Sequence, residues 1–289
     1  MSRKFIFATR FEKLQFDALK SLLVLRRAQY DHVVFLNVIE RKNVAMRRGT
    51  GYGKSREIQL REKANIRFID WAETLFEQGM EVGVYIVVGS WSNQTALSAT
   101  KEEADLVVIG PQKKGGLLNL FAGSDLLKIV ERAKTPVLVY KYRQDGSAPE
   151  NPFARPVIAV ESAEGGRAAM RYIETLTDVI EEVTLLHVVP EAALKGASAM
   201  AVQKARKEGK QLLESFCDPF DDKDIQAHLR VYVGNPTEEI EKAAQEANAT
   251  LVVMTPTEKN VLKTRFGQST TQVLMEESAF STLLIPNTK

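Results

Sequence analysis

The sequence predicts an α/β protein with two similar domains, each built on a five-stranded parallel sheet with helices on both faces. Short apolar runs rich in β-branched residues alternate with helical segments of about 10 to 20 residues, which is the pattern of repeated βαβ units. The same succession starts again after a polar segment. We therefore predict a first domain at residues 1–142, a linker at 143–155 and a second domain at 156–289.

Three landmarks of the first half recur 145 residues later, at the ends of two strands and at the start of a helix. The pairs are Gly89 and Gly234, Gly110 and Thr255, and Ser124 and Ser269. A constant spacing with matching apolar runs between the landmarks indicates internal duplication. The segment between the copies, RQDGSAPENPFAR, contains two prolines and a glycine and is typical of an interdomain linker.

The elements of the first domain follow from apolar periodicity. The predicted strands are 5–8, 33–39, 82–88, 106–109 and 137–141. The predicted helices are 14–25, 58–76, 92–103 and 124–133. Gly79 suits the end of the second helix, because glycine adopts the left-handed conformation found at many helix C-termini. Residues 41–56 break the periodicity and carry six basic residues and no acid, so we predict a mobile surface loop there. The open alternatives are an acidic partner surface or nucleic-acid phosphates.

The second domain repeats this order. Its predicted strands are 157–160, 183–189, 229–233, 251–254 and 282–285. Its predicted helices are 167–180 and 199–216, with two more beginning at 235 and 269. Asn235 and Pro236 mark a helix start, since the asparagine side chain can cap the first turn and proline suits the first helical position.

Composition limits the classes of function. The 289 residues carry a net charge of +2, which gives no global field for binding nucleic acid or an anionic membrane. No apolar run reaches the roughly 18 residues of a membrane span, and no signal-peptide pattern opens the chain. Cys217 is the only cysteine, so an internal disulfide is excluded. We expect a cytoplasmic protein with neither a membrane nor a nucleic acid as its partner.

The most informative stretch is DLVVIGPQKKGGLLNLFAGS, residues 105–124. A buried strand ends at Gly110, a loop with lysines and glycines follows, and Gly123 and Ser124 introduce a helix. Backbone N–H groups at a helix start point outward and suit a phosphate. The order of strand, glycine loop, Gly-Ser and helix resembles the universal stress protein family, as do the GNPTEEIEKAAQEANATLVVM segment and the LLHVV strand of the second half.

This resemblance implies two Rossmann-like domains, dimerisation through the last strand of each sheet, and one of two branches, of which one binds ATP and the other does not. In tandem members the two domains often pair as two subunits would. We therefore expect the last strands to cover each other in an intramolecular pseudo-dimer, since an apolar sheet edge favours pairing.

The resemblance also places candidate phosphate-binding residues in the first domain. These are Gly110, Lys113, Gly115, Gly116, Gly123 and Ser124. Lys113 stands where the family has its second glycine. Nucleotide-binding members have an acid after the first strand, and here that position is Arg10, which cannot accept a hydrogen bond.

In the second domain the acid is present as Glu161, and Ser269 matches the serine that begins the helix. The three glycine positions hold side chains instead. They are Thr255, Glu258 and Gln268. A β-carbon restricts the backbone and blocks close approach to a phosphate. Glu161 and Ser269 are thus the weaker candidate site.

The remaining chemistry-bearing residues favour structural roles. The histidines, His32, His187 and His228, lie on or beside predicted strands without metal-ligand spacing. Trp71 lies in an amphipathic helix and is interpreted as a packing residue. Trp91, just after Gly89, is interpreted chiefly in the same way, with exposure at the ligand-binding ends of the strands as the alternative.

We expect a non-enzymatic cytoplasmic stress-response protein that acts through an unidentified protein partner and binds nucleotide weakly or not at all. Nothing in the sequence positions a catalytic base or an attacking water, and no metal site is expected. The alternative is a regulator that binds ATP or AMP through the loop of the first domain. Association into a homo-oligomer remains open.

Overall fold

The computed structural model describes residues 2–11, 14–45, 51–110, 122–256 and 269–287, with the side chains of 122–125 left out. The chain divides into two compact units. The first contains Met1–Lys20 and Gln29–Tyr140, and the second contains Ser21–Ala28 and Lys141–Lys289. Within the second unit, a 3₁₀ helix at Leu22–Ala28 packs against another at Glu174–Val179.

In the first unit, the described strands form one parallel sheet in the order β3-β2-β1-β4-β5. The strands are β1 (Arg3–Ala8), β2 (Tyr30–Glu40), β3 (Glu81–Gly89), β4 (Leu106–Ile109) and β5 (Val137–Val139). The helices that connect them are α1 (Phe16–Ser21), α2 (Arg41–Val44), α3 (Lys54–Glu77), α4 (Trp91–Lys101) and α5 (Ala122–Ala133).

In the second unit, the described strands form a parallel sheet of the equivalent order, β8-β7-β6-β9-β10. The strands are β6 (Pro156–Ala159), β7 (Glu182–Pro190), β8 (Gln226–Gly234), β9 (Leu251–Met254) and β10 (Ser281–Leu284). The helices are α6 (Ala163–Ile173), α7 (Ala199–Glu214), α8 (Asp218–Asp221), α9 (Pro236–Glu246) and α10 (Thr270–Glu277). The α/β fold with two similar parallel sheets is confirmed.

Three local predictions are wrong. The predicted helix over 167–180 is α6, which begins at Ala163 and is followed by the 3₁₀ helix Glu174–Val179. The predicted helix over 14–25 is the short α1 followed by the 3₁₀ helix Leu22–Ala28, whose buried residues Leu22, Leu25 and Ala28 are spaced by three, as three residues per turn requires. The segment 41–56 is not wholly a loop in its described part. It contains α2, an antiparallel bridge between Ala45 and Tyr52, and the start of α3 at Lys54. Residues 46–50 lie outside the described residues.

The sequence determines both the buried face of helix α3 and the residue at which the helix ends. Ala64, Phe68 and Leu75 are spaced by four and seven residues, so they share one face, and all three are buried. The helix ends where Gly79 adopts a φ of 75°, with the Met80 N–H donating to the Leu75 carbonyl at 3.1 Å. The predicted C-terminal role of Gly79 is therefore confirmed, and the closing bonds satisfy carbonyls that the helix would otherwise leave unpaired.

Aromatic side chains fill the core of the first unit beneath α3. Phe68 stacks on Phe35 at 4.9 Å between ring centroids, and Trp71 lies edge-on to Phe7 at 6.1 Å. Trp71 also contacts Phe16 and Phe68. The interpretation of Trp71 as a packing residue is confirmed. Edge-to-face and offset pairs of this kind stabilise a core beyond the area that they bury.

Lys141, in the second unit, lies over the C-terminal end of α10. Its Nζ donates to the carbonyls of Leu274, at 3.0 Å, and Ser278, at 2.5 Å. Burial lowers the pKa of Lys141 from its ordinary 10.5 to about 8, against a smaller opposing effect of Glu241 and Glu276. The cation is therefore hydrogen-bonded to helix-terminal carbonyls but poorly hydrated.

This environment predicts a pH dependence of stability. Between pH 8 and 10.5 the unfolded chain keeps the Lys141 proton while the folded chain releases it, so the unfolded state binds more protons and stability rises with pH. We expect the unfolding free energy of the wild type, minus that of Lys141→Met, to increase across this window. Urea denaturation of both proteins at intervals from pH 7 to 10.5 measures it. A difference that stays constant or falls would contradict the prediction.

Candidate functional site

The site of interest lies at the carboxyl ends of the strands where the strand order reverses. In the first unit this point is between β1 and β4, because the chain proceeds from β1 outward to β2 and β3, and from β4 outward to β5. Open α/β sheets bind ligands in the crevice at such a point. Gly110 directly follows β4 and is buried, and Arg10 lies two residues after β1. The fold thus brings these two sequence-predicted positions to the same edge.

Arg10 is held by two neighbours. Its Nη2 is 2.8 Å from Glu40 Oε1, at the end of β2, and its guanidinium lies 4.5 Å from the centroid of the Trp91 ring. Glu40 also forms an ion pair with Lys42. A guanidinium over an indole face is attracted by the negative charge of the ring face. The position where the family resemblance leads us to expect an acid therefore holds a paired cation.

Trp91 begins α4 and is only 3% exposed, so the alternative of exposure at the strand ends is wrong. The reason is the cover supplied by Arg10, which the sequence places 81 positions away. Arg10 Nε and Trp91 Nε1 are both buried without a hydrogen-bond partner among the described residues. Glu40 was missed by sequence reasoning. The only available signal was its place at the carboxyl end of a strand next to β1.

A cleft of about 520 Å³ opens beside Arg10, between the end of β2 and α3. Four basic residues and one acid line it: Arg10, Lys42, Lys63, Arg67 and Glu40. The Arg67 guanidinium lies 5.0 Å from the Phe11 ring, and Phe11 has a φ of 64°, an uncommon conformation for a bulky residue. The excess of positive charge gives this cleft an electrostatic preference for anions.

The loop residues of the first unit fall largely outside the described structure. Lys113, Gly115 and Gly116 lie outside the described residues. Gly123 and Ser124 lie in the first turn of α5, which begins at Ala122 and not at Ser124 as predicted. Assigned helix ends vary by one or two residues because the terminal turns carry few hydrogen bonds.

The second unit has the equivalent point between β6 and β9. Glu161 follows β6 and is exposed, and Thr255 directly follows β9 and is buried. The Thr255 Oγ1 donates to the Gly165 carbonyl in the first turn of α6, at 3.1 Å. The position of the family's first glycine is therefore filled by a side chain that bonds across the crevice.

Ser269 is buried at the start of α10. It caps α10, where its Oγ accepts a hydrogen bond from the Gln272 N–H at 3.2 Å, and it is 2% exposed. The predicted helix start at this residue is present. Glu258 and Gln268 lie outside the described residues. With its hydroxyl engaged and buried, Ser269 presents little surface to a ligand.

The histidines occupy strand positions without forming a metal site. His32 pairs with Glu81 at 3.3 Å, His228 pairs with Glu182 at 2.8 Å, and His187 Nδ1 lies 2.7 Å from the Val160 carbonyl. Across the part of the chain that the structure describes, no three His, Cys, Asp or Glu residues are grouped to hold a metal ion. In that same part, the helices are too short or too polar to cross a membrane.

Comparison with known proteins identifies the class of this fold. The family model for the universal stress protein family matches twice, over residues 1–141 and 153–286. The chain therefore belongs to the universal stress protein family, with two such domains in tandem. A comparison with curated proteins finds no match.

Solved structures show the same fold at low sequence identity. A universal stress protein from Archaeoglobus fulgidus is 16% identical, with a TM-score of 0.73 over 99% of this chain and 97% of that one. A Pseudomonas aeruginosa protein assigned to the same family is also 16% identical, with a TM-score of 0.64 over 99% and 93%. The cytoplasmic domain of a prokaryotic cation chloride cotransporter is 11% identical, with a TM-score of 0.51 over 99% and 96%.

Proposed function

We propose that this protein is a non-enzymatic, cytoplasmic stress-response protein that acts through protein contacts, without dependence on a bound nucleotide. One observation carries the proposal: the strand-end crevice of each unit contains side chains of the protein itself. In the first unit Arg10, paired with Glu40, covers the Trp91 ring. In the second unit Thr255 bonds to the Gly165 carbonyl.

The positive charge of Arg10 also disfavours binding of the ribose and base of a nucleotide. A carboxylate at the position of Arg10 would accept hydrogen bonds from hydroxyl and amino groups, whereas a guanidinium only donates. Removing Arg10 would in turn leave the Glu40 carboxylate with Lys42 as its only ion-pair partner among the described residues. The existing contacts therefore oppose rearrangement of this crevice around a nucleotide.

A second candidate is a regulator that binds ATP or AMP in the first unit. The observation that favours it is the basic cleft beside Arg10, where Lys63 and Arg67 could compensate phosphate charge. In this alternative the phosphate loop would contain Gly110, Lys113, Gly123 and Ser124, and Gly123 would need to lie close to the phosphates.

Calorimetry and thermal unfolding with ATP or AMP and Mg²⁺ separate the two candidates. We expect no saturable heat, no shift in the unfolding midpoint, and no nucleotide in the extract of denatured protein purified without added nucleotide. Phosphate release from ATP should equal that of a heat-treated control. Saturable binding by the wild type that Gly123→Val abolishes would support the regulator and contradict our proposal. Glu258→Gln in the second unit is the matched control. If nucleotide binding is confined to the first unit, this substitution should leave it unchanged.

A further inference from the structure

The free edge of the first unit's sheet has a composition that edge strands usually avoid. In the described structure β3 pairs only with β2, over nine successive residue pairs from His32–Glu81 to Glu40–Gly89 without a bulge. After Glu81 the strand is VGVYIVVG, with neither charge nor proline. Edge strands are commonly protected by lysine, proline or bulges, because unpaired backbone groups attract another strand. Val84 on this strand is 42% exposed.

Helix α3 carries an exposed apolar stripe. Ile58, Ile69 and Phe76 are separated by 11 and 18 residues, which places them within about 20° of one another around the helix. They are 47%, 48% and 59% exposed, whereas Ile66, which is 63% exposed, lies about 80° further around the helix from Ile58, on the side away from the core. We call Ile58, Ile69 and Phe76 the α3 stripe.

The α3 stripe lies on the side of the helix that adjoins the β3 edge. The Arg61 guanidinium donates to the Ile86 carbonyl of β3, which orients that side of α3. At 100° per residue, Arg61 falls between the buried face of Ala64 and Phe68 and the stripe. Moving around the helix away from its buried side, Arg61 comes first and the α3 stripe follows. The edge strand and the stripe therefore flank one continuous side of the unit.

The equivalent side of the second unit is polar. Its edge strand β8 carries Arg230 at its centre, which pairs with Glu246 at 2.6 Å, and the Tyr232 hydroxyl donates to the same carboxylate at 2.5 Å. In the corresponding helix α7, Met200 is the large apolar residue that is strongly exposed among those described. A charge in the middle of an edge strand opposes pairing with another strand. Among the described residues, the exposed apolar positions on the edge strand and its neighbouring helix are therefore more numerous in the first unit.

We propose that β3 and the α3 stripe form a two-fold interface between two copies of this chain. A two-fold axis brings the same patch of both copies together, so that β3 pairs antiparallel with its equivalent and α3 runs antiparallel to its equivalent. Such a pairing closes both exposed sheet edges at once. It also buries the apolar side chains of both stripes, which is the dominant favourable contribution to association.

Charge selects a second copy over an unrelated partner. Leaving out Lys63 and Arg67, which line the cleft beside Arg10, residues 54–67 of α3 have three basic and two acidic residues, and residues 68–77 have three acids and no base. Antiparallel placement of two such helices sets the net-positive half of each beside the net-negative half of the other. Complementary charge of this kind favours the correct partner and orientation. The crevice beside Arg10 has no part in this contact, so the inference stands or falls independently of nucleotide binding.

Sedimentation of the full chain over a range of concentrations tests the interface. We expect the wild type to reach twice the mass of one chain. Val84→Lys at the edge and Phe76→Glu in the stripe should each weaken the association at least tenfold. Met200→Glu, a comparably exposed apolar position in the second unit, should leave it unchanged. Circular dichroism and thermal unfolding of each variant confirm that it is folded.

A wild type that remains a monomer at all concentrations would overturn the proposal. So would a dimer that survives both the edge and the stripe substitutions in folded protein, or one that Met200→Glu disrupts equally. A chain that stays monomeric but binds an unrelated protein through the stripe would likewise contradict the assignment of a second copy as the occupant.

Discussion

Replacement of Phe68 by alanine is expected to lower the unfolding free energy of the first unit by about 3–5 kcal/mol, the range for truncating a buried phenylalanine. Phe68 has no exposed surface and touches three other rings, with centroid distances of 4.9 Å to Phe35, 5.0 Å to Phe11 and 5.8 Å to Trp71. Truncation would remove these contacts and leave a cavity that fixed strands and rings cannot refill. Chemical denaturation of the full chain measures the loss.

Leu97→Ala is the matched control for this substitution. Leu97 lies in α4 of the same unit and is 61% exposed, so its truncation should change stability by less than about 0.5 kcal/mol. A Phe68→Ala protein that loses no more stability than Leu97→Ala would contradict the description of the aromatic cluster as the centre of this core.

The second large effect is expected at Gly166, in α6 of the second unit. A β-carbon there would stand 2.4 Å from Phe216 Cζ and 3.1 Å from Val160 Cγ1, and Phe216 is itself 7% exposed. A buried ring cannot move aside as a flexible side chain can, so Gly166→Ala should cost about 1–3 kcal/mol through overpacking. Denaturant unfolding followed by circular dichroism checks the loss.

The preceding glycine provides an internal control. At Gly165 a β-carbon would meet its nearest neighbours at 3.5 Å and 3.6 Å, which is ordinary van der Waals contact. Gly165→Ala should therefore be neutral or stabilising by up to about 1 kcal/mol, since alanine favours the helix. Equal losses at both positions would indicate that helix formation, and not the Phe216 contact, limits the stability of α6.

The fold could be predicted because the same succession of strands and helices occurs twice in the sequence. Strands such as β4 and β9 are continuous apolar runs of four residues, bounded by residues that end them, and both were located to the residue. Some helix starts with a side-chain cap were equally clear, although that of α6, capped by Ser162, was predicted four residues too late. Asn235 caps α9 by accepting a hydrogen bond from the Thr237 N–H at 2.9 Å, and Pro236 follows it. These features depend on neighbours within one turn of the chain, so a sequence is enough to find them.

The candidate site could not be predicted in the same way, since its contacts join distant segments. Arg10, Glu40 and Trp91 come from three different elements, and no periodicity relates them. The sequence shows that Arg10 stands where the family resemblance implies an acid. It does not show that the Glu40 carboxylate forms an ion pair with Arg10. The change from α-helix to 3₁₀ helix at Leu22 was missed for a different reason: apolar residues spaced by three or four suit both helices, and tertiary packing decides between them.

The hydrogen bond from Thr255 to the Gly165 carbonyl has a thermodynamic consequence. A ligand that binds only native protein adds stability in proportion to the logarithm of its concentration, so the unfolding of a ligand-filled domain varies with metabolite supply. A contact made within the chain contributes the same amount whatever the supply. The threonine therefore gives the second unit a stabilising contact that does not depend on the concentration of any ligand.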